Sequence, residues 1–174
     1  MDAPGSKDAA VLVPLYRDPL STILTERRSD LRRHAGEISF PGGRQDHPEE
    51  DLRATALREA HEEIGLDPGS VELVGALPPV GTFVTGYRVF PYLVRITVPE
   101  QWQIAEREVA ELFDVKLSDL LRAGAHDKMI ERFPTWQKAE QVSFYQIGTH
   151  RLWGLSYRIL HPIIPRLAAG EWAV

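Results

Sequence analysis

Hydrophobic and polar positions along the chain predict several short strands and one long helix. Apolar, β-rich runs over 11–13 and 22–25, with a turn at Asp18 and Pro19 between them, predict two strands. Pro14 indicates that the first strand lies at a sheet edge or ends there, because proline has no backbone N–H to donate. The same pattern predicts strands over 71–77, over 89–98 with an interruption at Pro91, and over 142–147.

The longest predicted element is a helix over 49–64. No helix-breaking residue interrupts this stretch, and Gly65 follows it as a C-terminal stop. Apolar residues recur within it at close to helical spacing, which predicts a buried face made of Ala54, Leu57, Ala60 and Ile64.

Two shorter helices are predicted nearer the C-terminus. One covers 119–122 and is capped by Ser118, and the other covers 152–160 and is closed by Pro162 and Pro165. The run Phe40-Pro41-Gly42-Gly43 predicts a loop, because it suits neither a helix nor a strand. Strands and helices mix without regular alternation, so we expect an α+β fold in which helices cover a mixed β-sheet, with 1–174 as one domain.

Composition narrows the class of protein. The chain has 174 residues, is 43% hydrophobic and 26% charged, and contains no cysteine, which excludes disulfides and thiolate metal sites. A net charge of −5 and a pI near 5.7 disfavour electrostatic binding of nucleic acid. We find no signal peptide and no uninterrupted apolar stretch of about 18 residues. We therefore expect a cytoplasmic protein with no membrane partner.

Candidate chemistry lies on the predicted 49–64 helix. The pattern R-E-x-x-E-E is formed there by Arg58, Glu59, Glu62 and Glu63. Residues three or four apart share one helical face, so we expect the three carboxylates to converge opposite the apolar face and to favour a cation. An all-oxygen ligand set suits Mg²⁺ or Mn²⁺. The alternative is a solvated acidic helix face, but the upstream glycines Gly42 and Gly43 favour a site for metal and phosphate.

A larger set of residues around this helix resembles the Nudix box, the signature of hydrolases that act on nucleoside diphosphates linked to another group. The matching positions lie within 43–66 and are Gly43, Glu50, Arg58, Glu59, Glu62, Glu63, Gly65 and Leu66. Six residues separate Gly43 from Glu50, one more than in the usual box. The resemblance implies the Nudix fold, an α/β/α sandwich with a mixed β-sheet between helices.

The segment over 24–43 is similar to the extra motif of the coenzyme A pyrophosphatase subfamily. The similarity rests on Leu24-Thr25-Glu26-Arg27, Leu31-Arg32, Gly36-Glu37 and Phe40-Pro41-Gly42-Gly43. That subfamily also tends to have the longer spacing between glycine and glutamate. Arg28 departs from the motif, since the subfamily usually has a small Ser or Ala at this position. Segments over 108–113 and 152–156 extend the resemblance.

The Nudix resemblance implies roles for the box residues. The divalent ions are expected to be held by Glu59, Glu62, Glu63 and the backbone carbonyl of Gly43. Arg58 is expected to orient the carboxylates through a charge-assisted hydrogen bond. Nudix enzymes differ in the origin of the general base, so Glu62 and Glu108 are both candidates. The alternative for Glu108 is an exposed loop acid with no catalytic role.

The subfamily resemblance implies that Arg27 and Arg32 bind phosphates at the ADP end of the substrate, including the 3′-phosphate. The alternative is that these are surface arginines paired with neighbouring acids. Phe40 is a candidate for stacking on the base, and packing behind the loop is its alternative.

The resemblance implies metal-dependent hydrolysis of coenzyme A, or of its derivatives, to 3′,5′-ADP and 4′-phosphopantetheine. Three alternatives stay open. The first is a Nudix hydrolase that acts on ADP-ribose, a dinucleoside polyphosphate or an oxidised nucleotide. The second is a Nudix enzyme that acts on RNA, and the third is a Nudix module that binds a nucleotide without cleaving it. The low pI argues against the RNA enzyme. The expected partner is a small molecule, and the assembly state is open, with a homodimer among the candidates.

Overall fold

The computed structural model describes residues 7–28, 37–82, 86–131 and 138–174. Eleven strands are formed within these ranges: β1 Lys7–Tyr16, β2 Ser21–Arg27, β3 Ile38–Ser39, β4 Gly42–Arg44, β5 Val71–Ala76, β6 Val80–Gly81, β7 Tyr87–Ile96, β8 Val109–Lys116, β9 His126–Glu131, β10 Glu140–Ile147 and β11 His150–Leu152. The α-helices there are α1 Leu52–Ile64, α2 Leu117–Leu120, α3 Gly154–Leu160 and α4 Ile164–Ala168, with 3₁₀ turns at Pro68–Ser70 and His161–Ile163. Among these helices, none has both the length and the apolar character needed to cross a membrane.

A mixed sheet forms the centre of the molecule. Its strand order is β3-β2-β1-β7-β5, with β4 also pairing with β1, β6 with β7 and β8 with β2. β1 runs parallel to β7 and antiparallel to β2 and β4. A smaller antiparallel sheet of order β11-β10-β9 lies apart from it in the pairing pattern. Both parallel and antiparallel pairs therefore meet at β1.

Two hydrophobic cores cover the two faces of the central sheet. Along β1, Ala10 and Leu12 pack toward α1, whereas Val13 and Leu15 pack into the larger core on the other face. This follows from the period of two in strand side chains. The larger core also takes in buried residues of α2, α3, α4 and the smaller sheet. The expected α/β/α sandwich with a mixed sheet is thus confirmed.

Several strand predictions need correction. β1 is an interior strand rather than an edge, and Pro14 lies within it, between the residues that pair with β4 and those that pair with β2. Pro91 does not interrupt β7. The predicted loop at Phe40-Pro41-Gly42-Gly43 is wrong at its end, because Gly42 starts β4. Sequence reasoning also missed β8 and β9, which have few buried positions and therefore no strong apolar run.

The helices are also corrected in detail. α1 begins at Leu52, where the Asp51 carboxylate caps the N–H of Arg53, and it ends as predicted at Gly65, with φ of 72°. Ala54 is exposed and Ala56 takes its expected place in the core. The short helix starts at Leu117 with no side-chain cap from Ser118. The final helix begins at Gly154, and the prolines that were expected to close it instead sit in the first turns of the helical segments that follow, Pro162 and Pro165.

Candidate active site

The glycine strand β4 brings the backbone against the first carboxylate of α1. A Cβ atom added to Gly43 would lie 2.6 Å from the Glu59 Cδ atom, closer than real Cβ contacts. Only glycine therefore permits this approach. β4 is held in place by pairing with β1, on which α1 also packs, so strand and helix share one support. The expected proximity of Gly43 and Glu59 is present.

Arg58 is the centre of an ion-pair network. Its Nε atom donates to Glu50 Oε2 at 3.0 Å, and its Nη2 atom donates to Glu50 Oε1 at 3.1 Å. Its Nη1 atom donates to Glu59 at 3.0 Å and approaches Glu62 at 3.4 Å. Asp46 lies 3.3 Å from Nη2. One guanidinium thus faces four carboxylates, and its hydrogen bond to Glu50 holds the pKa of Glu50 below its usual value.

Glu50 and Asp46 are partners that sequence reasoning did not assign. Glu50 matched the box but received no role, and it turns out to be the bidentate partner of Arg58. The Thr55 hydroxyl also donates to Glu50, at 2.6 Å. The conformation of the chain before α1, which the linear spacing does not reveal, folds these acids back onto Arg58.

Glu63 is a buried carboxylate. Its exposed fraction is 6%, so it belongs to the buried side of α1, which corrects the expectation that all three carboxylates lie opposite the apolar face. Burial, followed by repulsion from Glu59, raises the pKa of Glu63 to about 8, although the Gly42 N–H donates to it and the Arg27 charge opposes the shift. Burial also raises the pKa of Glu59, against the effect of Arg58. Two neighbouring carboxylates are therefore unfavourable in their charged form.

Glu108 approaches the same carboxylates from a different part of the chain. It ends a turn that begins at Ala105, whose N–H donates to the Glu63 carbonyl at 2.8 Å. The Glu108 N–H closes the turn on the Ala105 carbonyl at 2.9 Å. Glu108 is exposed, and its charge contributes to the raised pKa values of both Glu59 and Glu63. A fourth acid thus faces the site.

Comparison with known proteins gives the family. The NUDIX domain family model matches residues 6–136. The chain belongs to the Nudix hydrolase family. It is 36% identical over 163 residues to "Uncharacterized Nudix hydrolase NudL" of Enterobacter sp. (strain 638), covering 93% of this chain and 83% of that protein. It is 38% identical over 159 residues to the protein of the same name from Pectobacterium atrosepticum, covering 90% and 81% respectively.

Solved structures of Nudix proteins share the fold. The MutT protein from Methanosarcina mazei aligns with a TM-score of 0.59 and 19% identity, covering 94% of this chain and 95% of that one. The MutT/nudix family protein from Enterococcus faecalis gives a TM-score of 0.60 and 17% identity, covering 98% and 64%. Nudix hydrolases generally use divalent cations such as Mg²⁺ or Mn²⁺ and act on small-molecule substrates.

The Nudix site fits a divalent cation. Every candidate ligand is an oxygen atom, which suits the hard cations Mg²⁺ and Mn²⁺. Glu59 and Glu63 crowd each other at a partly dry position where the ionised pair is costly, and an adjacent cation would reverse that cost. Gly43 leaves room for its backbone beside Glu59. Glu62, whose charge contributes to the raised pKa of Glu59, has a side chain that is 55% exposed.

Of the three residues expected to bind substrate, the two that the structure describes do not lie together at the Nudix carboxylates. Arg27 reaches the Nudix site, since its charge lowers the pKa of Glu63, and its Nε atom is buried without a hydrogen-bond partner among the described residues. Phe40 is 2% exposed and packs in the larger core, so the packing alternative is correct and base stacking is not. Arg32 lies outside the described residues.

A second group of ligating side chains lies away from the Nudix carboxylates. Glu26 and Glu111 are paired across β2 and β8. A carboxylate oxygen from each of them and a ring nitrogen of His150 all lie within 4.8 Å of one another. The His150 Nε2 atom is 3.1 Å from a Glu26 carboxylate oxygen, so an ion pair accounts for this contact when the histidine is protonated. The histidine positions in the sequence have no metal-binding spacing and gave no sign of this group.

Proposed function

We propose that the chain hydrolyses the pyrophosphate bond of coenzyme A, and of related derivatives, to 3′,5′-ADP and 4′-phosphopantetheine with Mg²⁺ or Mn²⁺. The observation that carries this proposal is the position of the 24–43 segment. Both of its described ends border the Nudix carboxylates: Arg27 acts on Glu63 from one end, and Gly42 donates to it from the other. This placement supports the proposal, because both described ends of the segment that resembles the coenzyme A motif lie beside a carboxylate expected to hold the cation.

The box residues would hold the cation. Glu59, Glu62 and Glu63 supply carboxylate oxygens, and the Gly43 carbonyl supplies a neutral one. When bound, the divalent ion neutralises phosphate oxygens and lowers the pKa of a coordinated water. Arg58 fixes the orientation of Glu59 through a charge-assisted hydrogen bond and is itself fixed by Glu50.

We assign the general base to Glu108 rather than to Glu62. Glu108 faces the carboxylates from outside α1 and is exposed to the solvent that supplies the water. Glu62 lies on α1 itself, and its carboxylate is already engaged by the Arg58 guanidinium at 3.4 Å, so we propose that it holds the cation. In the step proposed, water forms a bond to phosphorus and gives its proton to the Glu108 carboxylate. The bridging P–O bond breaks, and the departing phosphate keeps its electron pair.

Among the described residues, Arg27 has a cationic side chain beside the Nudix carboxylates, where a substrate phosphate would bind. Its guanidinium lies beside Glu63 with a buried Nε–H that has no protein acceptor among the described residues. A phosphate oxygen would satisfy this donor, since buried polar groups are ordinarily hydrogen-bonded. We propose that Arg27, together with Arg32, binds phosphates of the ADP end, including the 3′-phosphate.

Product identification tests the function. Coenzyme A, ADP-ribose and a dinucleoside polyphosphate are each incubated with Mg²⁺, Mn²⁺ or chelator, and the products are separated by chromatography. We expect metal-dependent release of 3′,5′-ADP from coenzyme A, well above turnover of the other two substrates. Turnover of another substrate without coenzyme A cleavage would discard the substrate assignment and keep the Nudix chemistry. Silence on all three would favour a binding module.

A matched pair of variants tests the carboxylate assignment. Glu62→Gln removes a charge at the Nudix site, and Glu72→Gln removes one from an exposed glutamate on β5 that pairs with Arg95. We expect Glu62→Gln to lower kcat by about a hundredfold or more with folding intact, and Glu72→Gln to match the wild-type chain. Equal product formation by wild type and Glu62→Gln would remove this residue from the mechanism.

A further inference from the structure

The turn that carries Glu108 leaves one of its own carbonyls facing outward. The N–H groups of Glu108 and Val109 both donate to the Ala105 carbonyl at 2.9 Å. The Glu106 carbonyl, in the middle of the turn, accepts instead from the Nη1 atom of Arg28 at 2.8 Å. The Arg28 N–H donates to the Glu108 carbonyl at 3.1 Å. One residue thus bonds the turn at two points, through its backbone and its side chain.

A β-bulge lies beside the turn, so these two hydrogen bonds help to determine where Glu108 lies. The β2–β8 register changes from Glu26 opposite Glu111 to Arg27 opposite Val109, so Ala110 is the extra residue of a β-bulge. Bulges bend a strand and redirect its side chains, and they are frequent beside active sites. Ala110 lies two residues after Glu108, where the turn ends. The position of Glu108 therefore depends on how the turn is held at the bulge.

Among the described residues, packing contributes little to holding this turn. A cavity of about 450 Å³ lies beside it and is lined by Arg28, Glu106, Val109 and Ala110. Glu106, Arg107 and Glu108 are all exposed. With free volume beside it and solvent around it, the turn is fixed mainly by hydrogen bonds, and a lost bond leaves it room to move.

We infer that Arg28 is a positioning residue, which holds the 105–108 turn so that Glu108 faces Glu59 and Glu63. This inference rests on the proposed function, in which Glu108 is the base. Arg28 stands where the coenzyme A pyrophosphatase motif usually has Ser or Ala, and neither of those side chains has the length or the guanidinium needed to make this bond. The device therefore belongs to this chain and not to the motif it resembles.

Steady-state kinetics test the inference, with coenzyme A and Mg²⁺ as the probe. Arg28→Ala is expected to lower kcat about tenfold while KM changes less than about twofold, because the turn loses its hold on the base and not on the substrate. Arg28→Lys, which keeps one donor, is expected to recover part of the loss. Arg122→Ala is the matched control, because this exposed arginine forms a local ion pair with Asp119, three residues before it. Unchanged kcat in Arg28→Ala, or a loss confined to KM, would overturn the positioning role.

A double-mutant cycle shows whether Arg28 acts through Glu108. In the Glu108→Gln background, adding Arg28→Ala should cost less than about twofold, since the group being positioned is already gone. A full tenfold further loss would overturn the inference and assign Arg28 a direct contact with the substrate. If the wild-type chain does not cleave coenzyme A, the proposed substrate fails and these kinetic tests with coenzyme A do not apply.

Amide hydrogen exchange in the absence of substrate provides a test that survives that failure. Arg28→Ala is expected to accelerate exchange at the amides of Glu108 and Val109 by about tenfold or more, with no change in the amides of α1. Arg122→Ala should leave both sets unchanged. Wild-type exchange rates in the turn of Arg28→Ala would show that Arg28 does not hold it, whatever the enzyme cleaves.

Discussion

Two clusters of titratable side chains lie on opposite faces of the central sheet, and they differ in how their polar groups find partners. On the α1 face, carboxylates crowd around Glu59 and Glu63. Beside the larger core, the buried Tyr145 places its hydroxyl 2.6 Å from Nδ1 of the exposed His161, and Nε2 of the exposed His126 lies 2.6 Å from the Tyr157 hydroxyl. The four rings also stack or tilt against one another, with centroids 4.9–5.8 Å apart.

The two clusters differ in whether their own side chains satisfy one another. Burial raises the pKa of Tyr145 to about 12 and lowers the pKa of His161, so both groups are neutral near pH 7 and serve as hydrogen-bond partners. Burial and the charges of Glu59 and Glu108 favour the neutral form of Glu63 against the opposing effects of Gly42 and Arg27, and a bound cation would favour its ionised form. The tyrosine–histidine cluster is complete in itself, whereas the carboxylate cluster is built for a cation.

Filling the space between Gly43 and Glu59 should produce the largest effect. The Gly43→Ala methyl would lie 2.6 Å from the Glu59 Cδ atom, so the carboxylate or β4 must shift. We expect kcat to fall by about a hundredfold and Mg²⁺ affinity to fall with it, as measured by turnover and calorimetry. Gly81→Ala is the matched control, since nothing lies within 4 Å of a Cβ there. Equal losses in both variants would mean that the Gly43 approach has no special role.

The protonation of Glu63 should make metal binding depend on pH. With a pKa of about 8, this group must release its proton before it can hold a cation. We therefore expect Mn²⁺ affinity to rise about tenfold per pH unit between roughly pH 6 and 8, and the proton release to appear in calorimetry as a dependence on buffer ionisation enthalpy. Glu63→Gln should bind more weakly and with a flatter pH dependence. A flat wild-type profile would contradict the assignment.

The same group should affect stability in chelator. The pKa of Glu63 rises from 4.5 in the unfolded chain to about 8 in the folded one, so the unfolded state ionises first as the pH increases. The contribution of this group therefore destabilises the metal-free fold progressively between those two values. We expect Tm with chelator to fall across that range and Mg²⁺ to restore it. Glu63→Gln, which has no proton to lose, should show a smaller decline, and an identical decline would assign the effect to other groups.

Part of the carboxylate cluster could be predicted from the sequence. The spacing of Arg58, Glu59 and Glu62 indicated a helical cation site because their distances along one helix are fixed by its geometry. The burial of Glu63 was missed, because it depends on β4, which was taken for a loop. The coenzyme A motif made Phe40 a candidate for base stacking, with packing behind the loop as the alternative, and its burial in the larger core favours packing.

Contacts between segments that are distant in the sequence could be expected only from the resemblance to the Nudix family. Nothing in the pattern of residues 100–110 brings Glu108 to α1, since that contact depends on the hydrogen bond between Ala105 and Glu63. The tyrosine–histidine cluster went unnoticed for a similar reason. Its members come from β9, β10, α3 and the turn after it, and β9 was not predicted. Such groups are defined by packing between elements rather than by spacing within one.

The smallest expected effect concerns the self-contained cluster. Tyr145→Phe keeps the buried ring and removes the hydroxyl that lies 2.6 Å from His161 Nδ1. We expect the free energy of unfolding to fall by about 1 kcal/mol, the usual net worth of one hydrogen bond, as measured by urea denaturation. Turnover should match the wild type, because the cluster holds no group of the Nudix site. A loss of turnover with unchanged stability would show that the two faces of the sheet are coupled, and the distinction drawn between a self-satisfied cluster and a cation-dependent one would then fail.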